Sequence, residues 1–164
     1  MKKNVLASFF GVVAFALSSS LFVSCDPSDS NVDPTDDFKN LKYTITVDSP
    51  IDASDEVHFN ISGSDGQPTS QLFKIDNETL DYTVTLYSGS FTTTKKTYVI
   101  ESVKPLQSSN LSVSLHNNVY ENPKIPVNDL KFSYKVEVNG KTVVNVVDEV
   151  LSGIGATYEK NYEF

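Results

Sequence analysis

Apolar and polar residues alternate along most of the chain from Phe38 onward. In the clearest segment, Leu130 to Val138, every second residue is apolar and the residues between them are Lys, Ser or Glu. Side chains of a β-strand point to opposite faces in turn, so this alternation predicts a strand with one buried face. Similar alternation predicts strands over residues 41–47, 57–61, 80–86, 111–115 and 156–164, and shorter strands over 72–75 and 96–101.

The dipeptide Asn139-Gly140 follows the clearest strand and predicts a tight hairpin, because both residue types tolerate positive φ. The sequence leaves two registers open. A two-residue loop gives the facing pairs Val136 with Val143 and Phe132 with Val147; a three-residue loop with a bulge gives Tyr134 with Val144 and Phe132 with Val146.

The segment after this turn also has apolar residues at helical spacing. Its β-branched valines and the preceding hairpin turn favour a strand for the first half. A short helical turn is predicted near Asp148 to Leu151.

Eight or nine short strands in roughly 125 residues are typical of an antiparallel β-sandwich. We therefore predict an all-β, immunoglobulin-like sandwich, with a small calycin-like β-barrel as the alternative. The chain has one cysteine, so no internal disulfide can form and the core alone must stabilise the fold.

The N-terminus has the form of an export signal. Lys2 and Lys3 precede an uncharged apolar run from Val5 to Val23. A short positive start followed by an apolar segment is typical of secretory signal peptides. An uncleaved membrane anchor and ordinary secretion are the alternatives, since about 20 apolar residues can span a bilayer.

The end of this run, Leu21-Phe22-Val23-Ser24-Cys25, resembles the lipobox of bacterial lipoproteins, although Phe22 stands where Leu is commonest. The aspartates that follow are similar to those of Bacteroidota lipoproteins. The resemblance implies a signal peptide over residues 1–24 and acyl chains such as palmitate on Cys25. It also implies outer-membrane localisation, either exposed at the cell surface or facing the periplasm.

Residues 26–37 contain five Asp, two Pro and a single hydrophobic residue, Val32. Such a segment cannot bury enough apolar surface to fold, and its like charges extend it. We predict that residues 25–37 are a lipidated tether and that residues 38–164 are the β-sandwich domain.

Charge argues against nucleic acid as a partner. The net charge is -8, and all 13 basic residues are lysine. Nucleic-acid binding depends on a basic surface and favours arginine for its bidentate grip on phosphate and guanine.

The sequence offers no recognisable catalytic, cofactor or metal site. His58 and His116 fall in polar registers, and Ser62 to Gly66 contains one carboxylate, which suits a turn better than a calcium loop. No G-x-S-x-G nucleophile motif occurs. We therefore expect no enzyme, no cofactor and no metal; of the enzyme classes, a glycoside hydrolase would conflict least with the many acidic residues.

Tyr87, Tyr98 and Tyr120 are the candidate ligand-binding residues, because exposed tyrosines can stack on sugars or anchor a protein partner. Tyr120 falls in a proline-containing predicted loop. We expect a non-catalytic, lipid-anchored envelope protein that acts as an interaction or structural module. Its partners would be the membrane, through the N-terminal lipid, and an envelope or host protein. A glycan-binding accessory of polysaccharide uptake and a fimbrial or adhesin subunit are the alternatives.

Overall fold

The structure, a computed structural model, describes residues 38–68, 70–117 and 128–164. All of them belong to the compact unit Asp33–Phe164. The predicted signal peptide, Cys25, the rest of the predicted tether up to residue 37, and Tyr120 lie outside the described residues.

Ten β-strands and one short 3-10 helix occur in the described residues. The strands are β1 (Leu41–Val47), β2 (Glu56–Ser64), β3 (Phe73–Ile75), β4 (Glu78–Leu80), β5 (Thr83–Tyr87), β6 (Thr97–Ser102), β7 (Ser108–Asn117), β8 (Leu130–Val138), β9 (Lys141–Leu151) and β10 (Ala156–Glu163). The 3-10 helix, η1 (Ser88–Ser90), follows β5 directly.

The strands form two antiparallel sheets. One has six strands in the order β4-β3-β6-β1-β8-β9, and the other has four in the order β10-β7-β2-β5. The sheets are not closed into a barrel, so the barrel alternative is wrong. The predicted antiparallel β-sandwich is confirmed.

The core lies between the two sheets and is built from alternate residues of each strand. In β1 every second residue is buried, and β7 and β8 repeat this pattern. The largest fully buried side chains are aromatic: Tyr43, Phe59, Phe73, Phe132 and Tyr134. The Tyr43–Phe73 and Phe59–Tyr134 rings meet edge to face, and the Phe132 and Tyr134 rings are stacked, which adds to the stabilisation from burial of apolar area.

The predicted strand over residues 80–86 is wrong in one respect, because it is two strands. β4 ends at Leu80 in the six-stranded sheet, and β5 begins at Thr83 in the four-stranded sheet. The chain changes sheets between them. Tyr82, which the alternation places on the apolar side, is consequently 60% exposed.

The hairpin between β8 and β9 matches neither predicted register. Asn139 and Gly140 form a two-residue loop with φ of 50° and 76°, and Val138 faces Lys141. Two irregularities then shift the pairing, so that Val136 faces Val144 and Phe132 faces Glu149. An extra residue in one strand of a pair displaces every later partner.

The predicted helical turn near Asp148 is also wrong, because β9 continues as a strand to Leu151. Asp148 has a φ of 54° and sits at the second irregularity. Its N–H donates to Ser133 Oγ at 3.0 Å, and its carboxylate lies 3.0 Å from Lys131 Nζ. These contacts stabilise a bulge in β9. The bulge lies in the segment whose apolar residues have the spacing of a helix.

Candidate functional site

The two outer faces of the sandwich differ in chemistry. Ion pairs cover the outer face of the six-stranded sheet, where Lys42 and Lys74 approach the Glu101 carboxylate at 3.1 and 2.9 Å. Their ammonium groups lower the pKa of Glu101. Lys135 pairs with Glu137 on the same sheet at 3.1 Å. This face therefore carries mixed charges, together with the exposed valines Val143, Val147 and Val150 along its β9 edge.

The outer face of the four-stranded sheet carries short hydrogen-bonding side chains instead. Its residues alternate with the buried residues of the same strands and face away from the core. We call this surface the serine-asparagine face. Its residues are Thr157, Glu159, Asn161 and Glu163 of β10, Ser108, Asn110, Ser112, Ser114 and His116 of β7, Glu56, His58, Asn60, Ser62 and Ser64 of β2, and Thr83, Thr85 and Tyr87 of β5.

Strand pairing aligns these side chains in rows across the sheet. The central row is Asn161, Ser112, Asn60 and Thr85. Thr85 Oγ1 donates to Asn60 Oδ1 at 2.9 Å within this row. Neighbouring strands lie about 4.8 Å apart and like-facing residues of one strand about 6.7 Å apart, so the polar groups of the face are closely spaced.

No lysine faces outward on this sheet. Lys160 is the one lysine of the four strands. It is exposed on the edge strand β10, but it pairs with Val113 in the inward register and its Nζ lies 5.9 Å from the ring of Tyr158, which shares that register. The charged groups of the face are the carboxylates of Glu56, Glu159 and Glu163 and any protonated histidine. The face is therefore neutral to acidic.

Both histidines lie on this face, as their polar registers predict. His58 is exposed, and His116 is half-buried with its Nε2 3.2 Å from Ser114 Oγ and 3.8 Å from Glu159 Oε1. Within the described ranges, no group of three or more His, Cys, Asp or Glu residues could hold a metal ion.

An open depression of about 590 Å³ lies at one end of the face. Ser62, Ser64, Ser108 and Asn110 line it, together with Glu163. This volume falls within the range of small-molecule sites, about 300–1,000 Å³. Gly63, Ser109 and Phe164 complete the lining, so hydroxyl, amide and carboxylate groups lie beside an aromatic ring.

Tyr87 stands at the β5 edge of the face and is 56% exposed. It pairs with His58 across the strands. A Cβ placed on Gly89 would lie 2.7 Å from the Tyr87 ring, so the ring rests against the backbone of η1. The Tyr87 N–H also donates to Ser90 Oγ at 3.1 Å. One aromatic ring is thus held in place beside the polar rows.

Tyr98 occupies a different setting. It is half-buried in β6, where it pairs with the inward-facing Ile45. Its hydroxyl donates to the Ser90 carbonyl at 2.6 Å, and its ring centroid lies 5.4 Å from that of Phe91. Lys95 Nζ lies 4.4 Å from the same ring. These contacts occupy Tyr98, so of the two described candidate tyrosines only Tyr87 offers an open ring.

The face itself was not among the sequence-predicted sites. A partial signal was present, because the polar register of β7 contains only Ser, Asn and His, whereas that of β8 contains Lys131, Lys135 and Glu137. None of the helices in the described part of the chain combines the length and apolar character that a membrane span requires.

The fold and this face define a β-sandwich domain with one polar, lysine-free sheet surface. No protein-family model and no curated protein matches the chain. Three solved structures are similar in fold. A DUF4425 family protein from Bacteroides ovatus has a TM-score of 0.55 and 13% identity, covering 77% of this chain and 94% of that one.

A DUF4425 domain from Bacteroides vulgatus gives a TM-score of 0.53 at 15% identity, over 78% of this chain and 94% of that one. The NMR structure of a calcium-bound protein from Parabacteroides distasonis gives 0.52 at 13% identity, over 76% and 92%. At these identities the similarity is one of fold alone.

Proposed function

We propose that this protein is a non-catalytic binding module of the bacterial cell envelope, anchored in the outer membrane by acyl chains on Cys25. Its folded domain contacts its partner through the serine-asparagine face. The anchor is supported by the Leu21 to Cys25 motif and the apolar segment before it. The binding face is supported by the contrast between the two outer faces of the sandwich.

That contrast carries the functional half of the proposal. Asn is depleted in β-strands, and short side chains cover little of a pleated surface. Yet Asn60, Asn110 and Asn161 occupy outward positions on three adjacent strands. Strand stability alone would favour Thr, Val or Tyr at such positions. Local choices that work against the fold are expected at functional sites.

The tether would set how far the folded domain can lie from the membrane. Each buried CH₂ of an acyl chain contributes about 0.8 kcal/mol, and stable anchoring needs more than one chain. The twelve residues from Asp26 to Asp37 would span at most about 40 Å when fully extended.

Replacing Cys25 with Ser tests the anchor. We expect Cys25→Ser to remove the protein from the membrane fraction and to abolish metabolic labelling with palmitate. Mass spectrometry of the wild-type protein should find the acylated cysteine at the mature N-terminus. Membrane retention of Cys25→Ser, or an unmodified thiol in the exported wild-type protein, would disprove the anchor.

A photo-crosslinking amino acid tests the face in intact cells. One variant carries benzoylphenylalanine at Ser112, in the centre of the face, and the matched control carries it at Thr44, which is equally half-buried on the outer side of β1. We expect an envelope adduct from position 112 and none from position 44. Adducts of equal yield from both positions, or none from position 112, would refute the use of this face.

Calcium is not part of this proposal. The Parabacteroides distasonis protein was determined in a calcium-bound form. In the described part of this chain no cluster of three or more potential ligands of the His, Cys, Asp or Glu type is present.

A further inference from the structure

We infer that the serine-asparagine face binds a neutral polysaccharide, with Tyr87 stacked against one sugar ring and the polar rows bonded to its hydroxyl groups. This inference rests on the proposed function, because it names the ligand class of the same face. The face's charge, its hydrogen-bonding groups and its single aromatic ring each point to this ligand.

The charge of the face excludes polyanions. Nucleic acids, sulfated glycans and uronic-acid polymers need basic side chains to neutralise their charges. The face presents no lysine, and the chain contains no arginine. Glu159 and Glu163 on β10 add negative charge along one edge. A neutral ligand avoids this repulsion.

The hydrogen-bonding groups of the face suit hydroxyl-rich ligands. Serine and threonine hydroxyls both donate and accept, and asparagine amides offer both functions on one side chain. Sugar hydroxyls also donate and accept, so they can bond to such an array in several orientations. Short side chains such as Ser112 and Ser114 also let a flat ligand approach the sheet closely.

The composition of the face is unlike that of a protein interface. Protein interface cores are enriched in aromatic residues, Met and Arg, and depleted in Ser and Glu. This face is rich in Ser, carries three Glu and has no Met or Arg, and its one outward-facing aromatic residue, Tyr87, stands at the edge and not in the centre. A glycan therefore fits the face better than a folded protein does.

Tyr87 supplies the apolar contact that a polysaccharide needs. The apolar side of a sugar ring packs against an exposed aromatic face. Gly89 leaves room for the ring, and the bond from the Tyr87 N–H to Ser90 Oγ fixes the backbone beneath it. Because the Tyr87 backbone is already fixed, binding costs little conformational entropy there, and this favours affinity.

Affinity gel electrophoresis of the full-length protein in detergent tests this inference. The probes are four neutral polysaccharides (dextran, mannan, xylan and galactan) and two anionic ones (dextran sulfate and polygalacturonate). We expect at least one neutral probe to retard the protein and neither anionic probe to do so.

Matched variants locate the site. We expect Tyr87→Ala to weaken binding about tenfold, the scale of losing one aromatic anchor. Tyr82→Ala should leave binding unchanged, because Tyr82 is equally exposed but lies outside the face. Ser112→Lys should abolish binding, whereas Thr44→Lys should not. All four positions are exposed or half-buried, so circular dichroism should show each variant folded.

The outcomes separate this inference from the proposed function. Lack of retardation by every neutral probe, retardation by an anionic probe, or equal loss in Tyr82→Ala and Tyr87→Ala would overturn the glycan inference. If crosslinking at Ser112 still yields an envelope adduct in that case, the face remains a binding site for another partner. If both experiments fail, the proposed function fails as well.

Discussion

Two consecutive hydrogen bonds connect the two sheets and allow a sharp test of the core. Ser109 Oγ of β7 donates to the Ser62 carbonyl at 2.6 Å, and the Tyr43 hydroxyl of β1 lies 2.7 Å from the same Oγ. A serine hydroxyl has one hydrogen, which is used for Ser62, so the Tyr43 hydroxyl must donate to Ser109. Tyr43 is fully buried, and Ser109 is its link to the other sheet.

The two single substitutions should differ in cost. Ser109→Ala leaves the buried Tyr43 hydroxyl without its acceptor, which costs about 1–3 kcal/mol, and also removes the bond to Ser62, worth about 1 kcal/mol. We therefore expect a loss of about 2–4 kcal/mol in the free energy of unfolding. Tyr43→Phe removes the donor and leaves the Ser109–Ser62 bond intact, so about 0.5–1.5 kcal/mol should be lost.

The double variant completes a thermodynamic cycle. The double variant has no Tyr43 hydroxyl that could lack an acceptor. Its loss in the free energy of unfolding should therefore be smaller than the sum of the two single losses, by about 1–2 kcal/mol. Urea unfolding followed by far-ultraviolet circular dichroism measures all four proteins, with unchanged m-values as the control for two-state behaviour. The hydrogen-bonding scheme would be refuted if the losses in the free energy of unfolding were strictly additive, or if Ser109→Ala cost no more than Tyr43→Phe.

Three further predictions concern steric overlap, backbone strain and pH. Gly63→Ala should cost about 1–3 kcal/mol in urea unfolding, because the new Cβ would lie 2.8 Å from Leu106 Cδ1 and 2.9 Å from Phe73 Cζ. Gly140→Ala, with φ of 76° and no atom within 4 Å, should cost about 1–2 kcal/mol from backbone strain alone, and a cost near zero would contradict this. Burial raises the pKa of Tyr43 to about 12 from 10.0, so its contribution to stability is present below pH 10 and is lost as the pH rises toward 12. Stability curves should accordingly fall more steeply over this range in wild type than in Tyr43→Phe.

The core could be predicted from the sequence because burial leaves a local record. Where a strand has one buried face, apolar residues must occupy every second position, and this period is visible in β1, β7 and β8 without knowledge of their neighbours. The sandwich class followed from the number and length of such segments. The aromatic residues of these registers are indeed buried, with Tyr43 and Phe132 at 0% exposure.

The pairing details could not be predicted, because they depend on contacts between distant segments. Alternation continues smoothly through Leu80, Tyr82 and Val84, although the chain leaves one sheet and enters the other there. Nothing local distinguishes a change of sheet from a continuous strand. The shifts in the β8–β9 hairpin likewise arise at Val143 and Asp148, where valines on both sides of the strand make every register apolar.

The serine-asparagine face could not be recognised as one surface from the sequence, for a related reason. Taken singly, its strands have polar registers of the kind that any half-buried strand presents to water, and the Ser and Asn residues of β7 do not by themselves show that the neighbouring strands continue the pattern. The four strands are also scattered along the chain, and none of them pairs with its immediate predecessor in sequence. Only their order in space, β10-β7-β2-β5, brings Asn161, Ser112, Asn60 and Thr85 into one row and leaves lysine out of it. The same topology places Tyr87 at the edge of that surface and Tyr98 in the opposite sheet. The residues next to either tyrosine in the sequence do not reveal this difference.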